Sequence, residues 1–326
     1  MSTAVCKVEN AHPAAIWCLD YRKGHLLTAD AGNNVKVWNW DEEHSLMAPI
    51  MGTKASVHML GINACQLCLA KDTSGARAMT LGLDGYVRSF SLNPDAPDAL
   101  CASQESLMEN LPAYNSCSET TRDCGWTLCV DVTGKAIIGT KKGGVRVVEL
   151  PKKAGDTATE LQSLQTPLAS VRCAALAQTG LLALGGADGQ VVVFEQGDSS
   201  WVRKFSTAAH NVTVRALCFS ADNTRLLTAA DNGVGVIFDS HDGAVVATLN
   251  GHRSSIYSCA WSPNGQYIAT GDATGQVIIW DASNGDMLAS IEDGTKGVWG
   301  LTFTESSERI IVADGAGYIR VHAVVV

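Results

Sequence analysis

Apolar and polar residues alternate along most of this chain in short runs, with glycine-centred polar turns between them, and that pattern predicts strands. The stretch GHRSSIYSCAWSPNGQYIATGDATGQVIIWD, residues 251–281, shows it most fully. It reads Gly-His, an alternating run, the turn Ser-Pro-Asn-Gly, a second run, a polar turn, a third run and Trp-Asp. The third run recurs as VKVW (35–38), YVRSF (86–90), VRVV (145–148), VVVF (191–194), VGVIF (234–238), VIIW (277–280) and YIRVH (318–322). These runs end at Trp38, Phe90, Val148, Phe194, Phe238, Trp280 and His322, with spacings of 52, 58, 46, 44, 42 and 42 residues. Turns such as LDGY, ADGQ and ATGQ precede them, where glycine takes a positive φ at no steric cost.

A Gly-His…Trp-Asp unit repeating every ~40–45 residues is the signature of a WD40 β-propeller. The expectation is therefore an all-β chain forming a single seven-bladed WD40 β-propeller over residues 1–326. Such a ring must close, because open sheet edges invite wrong pairing. The chain after Val321 is too short to give the last blade a fourth strand, so Ala4–Glu9 is expected to supply it. Two connections are over-long. Residues 92–124 read as an exposed loop with a short helix near Ser103–Leu111, and Pro151–Pro167 reads as a shorter loop of the same kind.

Composition narrows the function classes. The apolar fraction of 46% and charged fraction of 17% suit a well-buried globular protein. The formal charge is −9, and no basic cluster is longer than Lys141-Lys142 or Lys152-Lys153. That lacks the footprint of phosphate neutralisation, so direct nucleic-acid binding is not expected. No apolar run approaches ~18 residues, so no membrane span is expected. The opening MSTAVCKVEN holds no apolar signal segment, so the eleven cysteines are expected mostly reduced and the sequon Asn211-Val212-Thr213 unused. Cys65-Gln66-Leu67-Cys68 has zinc-like spacing, but a closed zinc site needs four ligands and no second pair follows. These thiols read as small apolar residues of an inner strand. Neither a metal nor a cofactor is expected.

Four units carry parts of a polar relay in which histidine, serine or threonine, aspartate and tryptophan satisfy one another in a blade. The first offers His12, Thr28 and Trp38 with Gly32 at the turn; the second His58, Thr80 and Asp84, but ends in Phe90. The fifth offers His210, Thr228 and Phe238 with Asn232 at the turn; the sixth His252, Thr270, Thr274 and Trp280 without a turn carboxylate. No unit reads as complete. The histidines recur at equivalent places instead of converging, which argues for structure over catalysis. Nucleophile elbows, phosphate loops, zinc-protease helices and calcium loops are missing from the sequence, so no catalytic residue is assigned.

The start of each first strand is more informative. The quartets are Ile16-Trp17-Cys18-Leu19, Ile62-Asn63-Ala64-Cys65, Gly125-Trp126-Thr127-Leu128, Val171-Arg172-Cys173-Ala174, Val214-Arg215-Ala216-Leu217, Ile256-Tyr257-Ser258-Cys259 and Val298-Trp299-Gly300-Leu301. The second residue follows the apolar anchor and should point away from the inter-blade core, at the mouth of the channel. That places Trp17, Asn63, Trp126, Arg172, Arg215, Tyr257 and Trp299 on one rim, with Tyr257, Trp299 and Trp17 contiguous in a closed ring. Trp, Tyr and Arg are enriched at binding hot spots, and an exposed aromatic patch marks an interaction site.

The segments AHPAAIWCLDY…LLTADAGNNVKVWNW, LDGYVRSFSL, GWTLCVDVTG and GVWGLTF…GYIRVH resemble the WD repeat-containing protein 61 family, the WD-repeat subunits of superkiller complexes. The resemblance runs in register over nearly the whole chain outside residues 91–124. It implies a non-catalytic adaptor joining a tetratricopeptide scaffold protein and an RNA helicase in exosome-mediated mRNA decay. It also implies a role with polymerase-associated factor complex subunits in transcription elongation, and a location in cytoplasm and nucleus. Members grip a short peptide carrying Gln-Arg and a hydrophobic residue on the top face. Carried over, Trp17, Tyr257 and Trp299 would bury the apolar anchor and Asp231 would receive the peptide arginine. The chain departs from the family at Val148, where an aromatic is expected, and in the long loop. An alternative is a structural subunit of another large assembly, such as an axonemal or cytoskeletal complex. A ubiquitin-ligase receptor is disfavoured, since Trp280-Asp281 is followed by Ala282-Ser283 without the arginine typical of that class.

Overall fold

The alternating runs become strands and the glycine turns become hairpins, and among the described residues there is no helix. The structure is a computed structural model that describes residues 4–325 except 54–55, 69–75, 94–112, 116–123, 132–134, 150–158, 199 and 293–295. Seven antiparallel sheets of four strands follow one another along the chain. Blade 6 is typical: Ile256–Trp261, Tyr267–Asp272, Gln276–Asp281 and Met287–Glu292 pair in that order from the channel outward. The seven-bladed propeller read from the repeat is thus what the chain forms.

Ring closure follows the expectation for the N-terminus. Cys6–Val8 pairs antiparallel with Ile319–Val321 and becomes the outer strand of the seventh sheet. Cys6 and Val8 also pack against the cluster of Ile311, Ala313, Ile319 and Val321 that this blade shares with Leu26 and Trp38 of the first.

The two long connections differ from their reading as loops. Ala113–Asn115 pairs with Tyr86–Arg88 as the fourth strand of blade 2, and Thr159–Gln165 is the fourth strand of blade 3. The outermost strand of a blade faces solvent along much of its length. Only Leu164 is buried in Thr159–Gln165, so the sequence carries little hydrophobic period there. The short helix expected at Ser103–Leu111 lies outside the described residues.

Burial explains why the sheets stand face to face. Seven hydrophobic clusters form, one at each junction between neighbouring blades. The strand Leu181–Gly186 shows how alternation feeds them: Leu182 and Leu184 pack toward blade 3, whereas Leu181 and Ala183 pack toward blade 5. Burying one such leucine contributes about 1.5–3 kcal/mol. Gly189, at φ +81°, is required for a separate reason: a Cβ there would lie 2.1 Å from the His210 carbonyl oxygen.

The polar relays are more complete than the sequence suggests. In blade 1, Trp38 Nε1–H donates to Thr28 Oγ1 at 2.8 Å and the Thr28 hydroxyl donates to His12 Nε2 at 2.7 Å. His12 Nδ1–H then donates to Asp30 Oδ2 at 3.1 Å. Blade 6 repeats this with Trp280, Thr270, His252 and Asp272 at 2.8, 2.7 and 3.1 Å. The carboxylate sits at the last residue of the second strand, two positions before the turn residue where it was expected. In blade 2 that position is Gly82, and Asp84 reaches back into the space to bind His58 at 2.8 Å. In blade 5 it is Ala230, and the His210 ring bonds Thr228 with no carboxylate partner among the described residues.

These relays set an acid sensitivity. Burial pushes the His58 and His252 rings below their ordinary value, and burial lowers His210 to about 4. The unfolded chain takes up these protons near pH ~6.5. Between there and about 4 the unfolded state binds more protons at His210, so stability falls as pH falls through that window. Burial alone would raise Asp30 and Asp272, but their hydrogen bonds outweigh it and hold both below the ordinary carboxylate value. Their contribution is lost only in stronger acid. Calorimetry should show Tm declining from about pH 7 to about pH 4.5, with a shallower decline for His210→Gln. An identical slope in the variant would remove His210 from the account. Deleting residues 1–9 should lower Tm by several degrees, because Ile319–Val321 loses its partner strand; an unchanged Tm would deny the closing strand an energetic role.

Candidate functional site

Every innermost strand carries the same irregularity. Pairing with the second strand skips one residue, between Ile16 and Cys18, Ile62 and Ala64, Gly125 and Thr127, Val171 and Cys173, Val214 and Ala216, Ile256 and Ser258, and Val298 and Gly300. The skipped residues are Trp17, Asn63, Trp126, Arg172, Arg215, Tyr257 and Trp299. A bulge leaves its extra residue out of the ladder and re-aims its side chain. All seven line one cavity of about 540 Å³ in the channel, together with Leu83 and inner-strand residues including Cys65 and Leu301. The rim read from the quartets is therefore brought together. Asp231 is the exception, since it belongs to a turn beside the cavity and not to its lining.

The rim side chains form a ladder over blades 3 to 7. The Arg172 guanidinium lies over Trp126 with Cζ 4.2 Å from the ring centroid. Arg215 lies 5.8 Å over Tyr257, and Tyr257 stacks on Trp299 at 4.4 Å with 26° between planes. Trp299 is 36% exposed, so the indole is open to a ligand and not sunk between blades. Trp17 leans toward blade 2, where a Cβ on Gly61 would come within 2.5 Å of the indole. Asn63 presents the remaining position, and its Nδ2 is buried without a hydrogen-bond partner.

The electrostatics depart from the expected assignment. Arg215 and Asp231 form a bidentate pair, Nε–Oδ1 at 2.7 Å and Nη2–Oδ2 at 2.9 Å. Both carboxylate oxygens are engaged, so a peptide arginine would have to displace Arg215 to reach them. That pair raises the Arg215 pKa further. Arg172 shows the opposite: burial first, then the charge of Arg215, lowers its pKa, and it has no ion-pair partner among the described residues.

Sequence reading missed two residues on this face. Met59 is 84% exposed and Leu60 57% exposed, in the turn leading into blade 2. The Met59 N–H donates to Asp84 Oδ2 at 3.1 Å, and Leu83 N–H donates to the Gly61 carbonyl at 2.8 Å, which holds the turn beside Trp17. The signal was a pair of bulky apolar residues after His58, where blade 1 has Pro13-Ala14 and blade 6 has Arg253-Ser254.

The cysteines behave as core residues. Cys65 packs into the junction of blades 1 and 2, whereas Cys68 packs toward blade 3, so the pair faces opposite ways. Burial pushes the Cys129 thiol up to about 12 and raises Cys173 as well. Eight described cysteines are free, and Cys124 is the exception, being disulfide-bonded.

Comparison with known proteins agrees with the geometry. Residues 243–281 match the family described as WD domain, G-beta repeat, and residues 177–260 match the anaphase-promoting complex subunit 4 WD40 domain. The meiotic recombination protein rec14 of Schizosaccharomyces pombe is 25% identical over 72% of this chain and 69% of its own length. The WD repeat-containing protein VIP3 of Arabidopsis thaliana is 25% identical over 68% of this chain and 65% of its own. The crystal structure of the WD40 β-propeller domain of Doa1 superposes with a TM-score of 0.74 at 18% identity, covering 100% of this chain and 97% of that one.

Gly61→Ala should force the Trp17 indole aside, since a flexible ring edge is what the new methyl meets. The expected readout is altered near-ultraviolet circular dichroism with Tm almost unchanged. A spectrum identical to wild type would place Trp17 away from Gly61 in solution.

Proposed function

We propose that this propeller is a non-catalytic adaptor that captures short segments of partner proteins at its channel mouth and holds them within a larger assembly. The observation that carries the reading is the ring of seven bulge residues, of which three are tryptophan, one tyrosine and two arginine. A WD40 propeller implies protein partners. The sequence resemblance supports an assembly of superkiller type, in which the partners are a tetratricopeptide scaffold protein and an RNA helicase and the process is exosome-mediated mRNA decay. The same resemblance supports service to polymerase-associated factor complex subunits in transcription, and hence work in both cytoplasm and nucleus. The name of the rec14 relative favours a second client, an assembly for meiotic recombination.

The test uses Trp17→Glu combined with Trp299→Glu. Both rings are partly exposed, so far-ultraviolet circular dichroism and Tm should be preserved. Truncating an interface tryptophan typically costs on the order of 2 kcal/mol or more, and a carboxylate in its place adds repulsion toward apolar ligands. Pull-down of the purified tetratricopeptide scaffold should be abolished. Retained capture by the folded variant would move the docking site off the mouth.

A further inference from the structure

The mouth is chemically divided, and the division says what it takes. One arc is apolar: the Tyr257–Trp299 stack, Trp17 on Gly61, and the exposed Met59 and Leu60 beside it, spanning blades 6, 7, 1 and 2. The facing arc, over blades 3 to 5, holds Trp126, Arg172 and Arg215.

The two guanidiniums on that arc are not equivalent. Arg215 is neutralised by both oxygens of Asp231. Arg172 lies over an indole and is half-buried in the cavity wall, with no ion-pair partner among the described residues. Stacking occupies the face of a guanidinium and leaves its in-plane N–H donors free. A partly desolvated cation without a counter-ion is stabilised by any ligand that brings one, and charge-assisted hydrogen bonds are the strong ones. The Lys141 N–H bonds to the Cys124 carbonyl at 2.9 Å, which places this exposed lysine beside the start of the strand that carries Trp126. This arc is cationic in a chain whose formal charge is −9.

We infer that the mouth is a two-part receptor for an acidic–apolar peptide segment, in which an Asp or Glu side chain of the partner pairs with Arg172 while a neighbouring apolar side chain rests on the arc of Tyr257, Trp299, Trp17, Met59 and Leu60. The inference rests on the adaptor reading and adds the chemistry of the occupant. A carboxylate fits better than a phosphate. Among the described residues only one rim guanidinium lacks an ion-pair partner, because Asp231 already holds Arg215, and a single lone guanidinium matches one negative charge.

The experiment selects displayed random short peptides on wild type, on Arg172→Gln and on the Trp17→Glu/Trp299→Glu protein. The wild-type pool should be enriched in Asp or Glu at a position fixed relative to an apolar residue. A synthetic peptide from that pool should bind about tenfold more weakly when its acid is changed to the amide. Arg172→Gln should erase that difference while still binding the amide peptide, a coupling that a merely structural role for Arg172 would not produce. Wild-type pools without acidic preference, or an undiminished acid–amide difference in Arg172→Gln, would overturn the carboxylate seat and leave the adaptor reading standing. A phosphoserine peptide binding more than about tenfold tighter than its glutamate counterpart would overturn it in favour of phosphate. Pools captured equally by the Trp17→Glu/Trp299→Glu protein would instead sink the adaptor reading at this mouth.

Discussion

Burial of every sheet on both faces is the constraint from which the other features follow. Each blade gives one set of alternate residues to the blade before it and the other set to the blade after it, as Leu182 and Leu184 against Leu181 and Ala183 show. A middle strand so used has no face left for chemistry; Leu181–Gly186 is buried throughout. The outermost strands are spared on one side, and the innermost are spared where they face the channel. Function is thereby driven to strand ends, turns and the channel wall.

The bulge at the start of each inner strand turns that constraint into a site. Without it, strict alternation would aim the residue after the buried anchor at a neighbouring blade or at the ladder. With it, one side chain per blade leaves the pairing and joins the channel mouth. A backbone device repeated in all seven sheets thus gathers Trp17, Trp126, Arg172, Arg215, Tyr257 and Trp299 from across the whole sequence. Residues nearly 300 positions apart become neighbours where blades 7 and 1 meet, a junction sealed by their shared hydrophobic cluster and by the closing strand Cys6–Val8.

Much of this was legible in sequence because it is periodic. Seven third strands, the closing segment and the rim residues all follow from counting runs and aligning them. What escaped was aperiodic. The outer strand Thr159–Gln165 reads as loop because a solvent-facing strand with one buried leucine has almost no hydrophobic period, and Ala113–Asn115 is only three residues long. The repeat puts the relay carboxylate at the turn, whereas His12 and His252 reach Asp30 and Asp272 at the end of the second strand. Asp231 was assigned outward to a ligand arginine, but Arg215 of the same blade holds it; a pairing across a bulge leaves no mark on spacing. Met59 and Leu60 are a local exception to the repeat, and an exception leaves no mark on a period.

The rigidity of this arrangement bears on selectivity. Each rim side chain is rooted in a strand whose neighbours are packed on both sides, so the separation between the Arg172 arc and the Trp299 arc is fixed by the ring and not by a mobile loop. Preorganised sites lose little entropy on binding. A ligand must then match a set distance as well as a set chemistry, and an apolar segment lacking a suitably placed partner for Arg172 would leave that partly desolvated cation unpaired. The paired state of Arg215 sharpens this. Because Asp231 already satisfies Arg215, a second acid on the ligand finds no equivalent seat, and the mouth distinguishes one well-placed negative charge from a generally acidic surface.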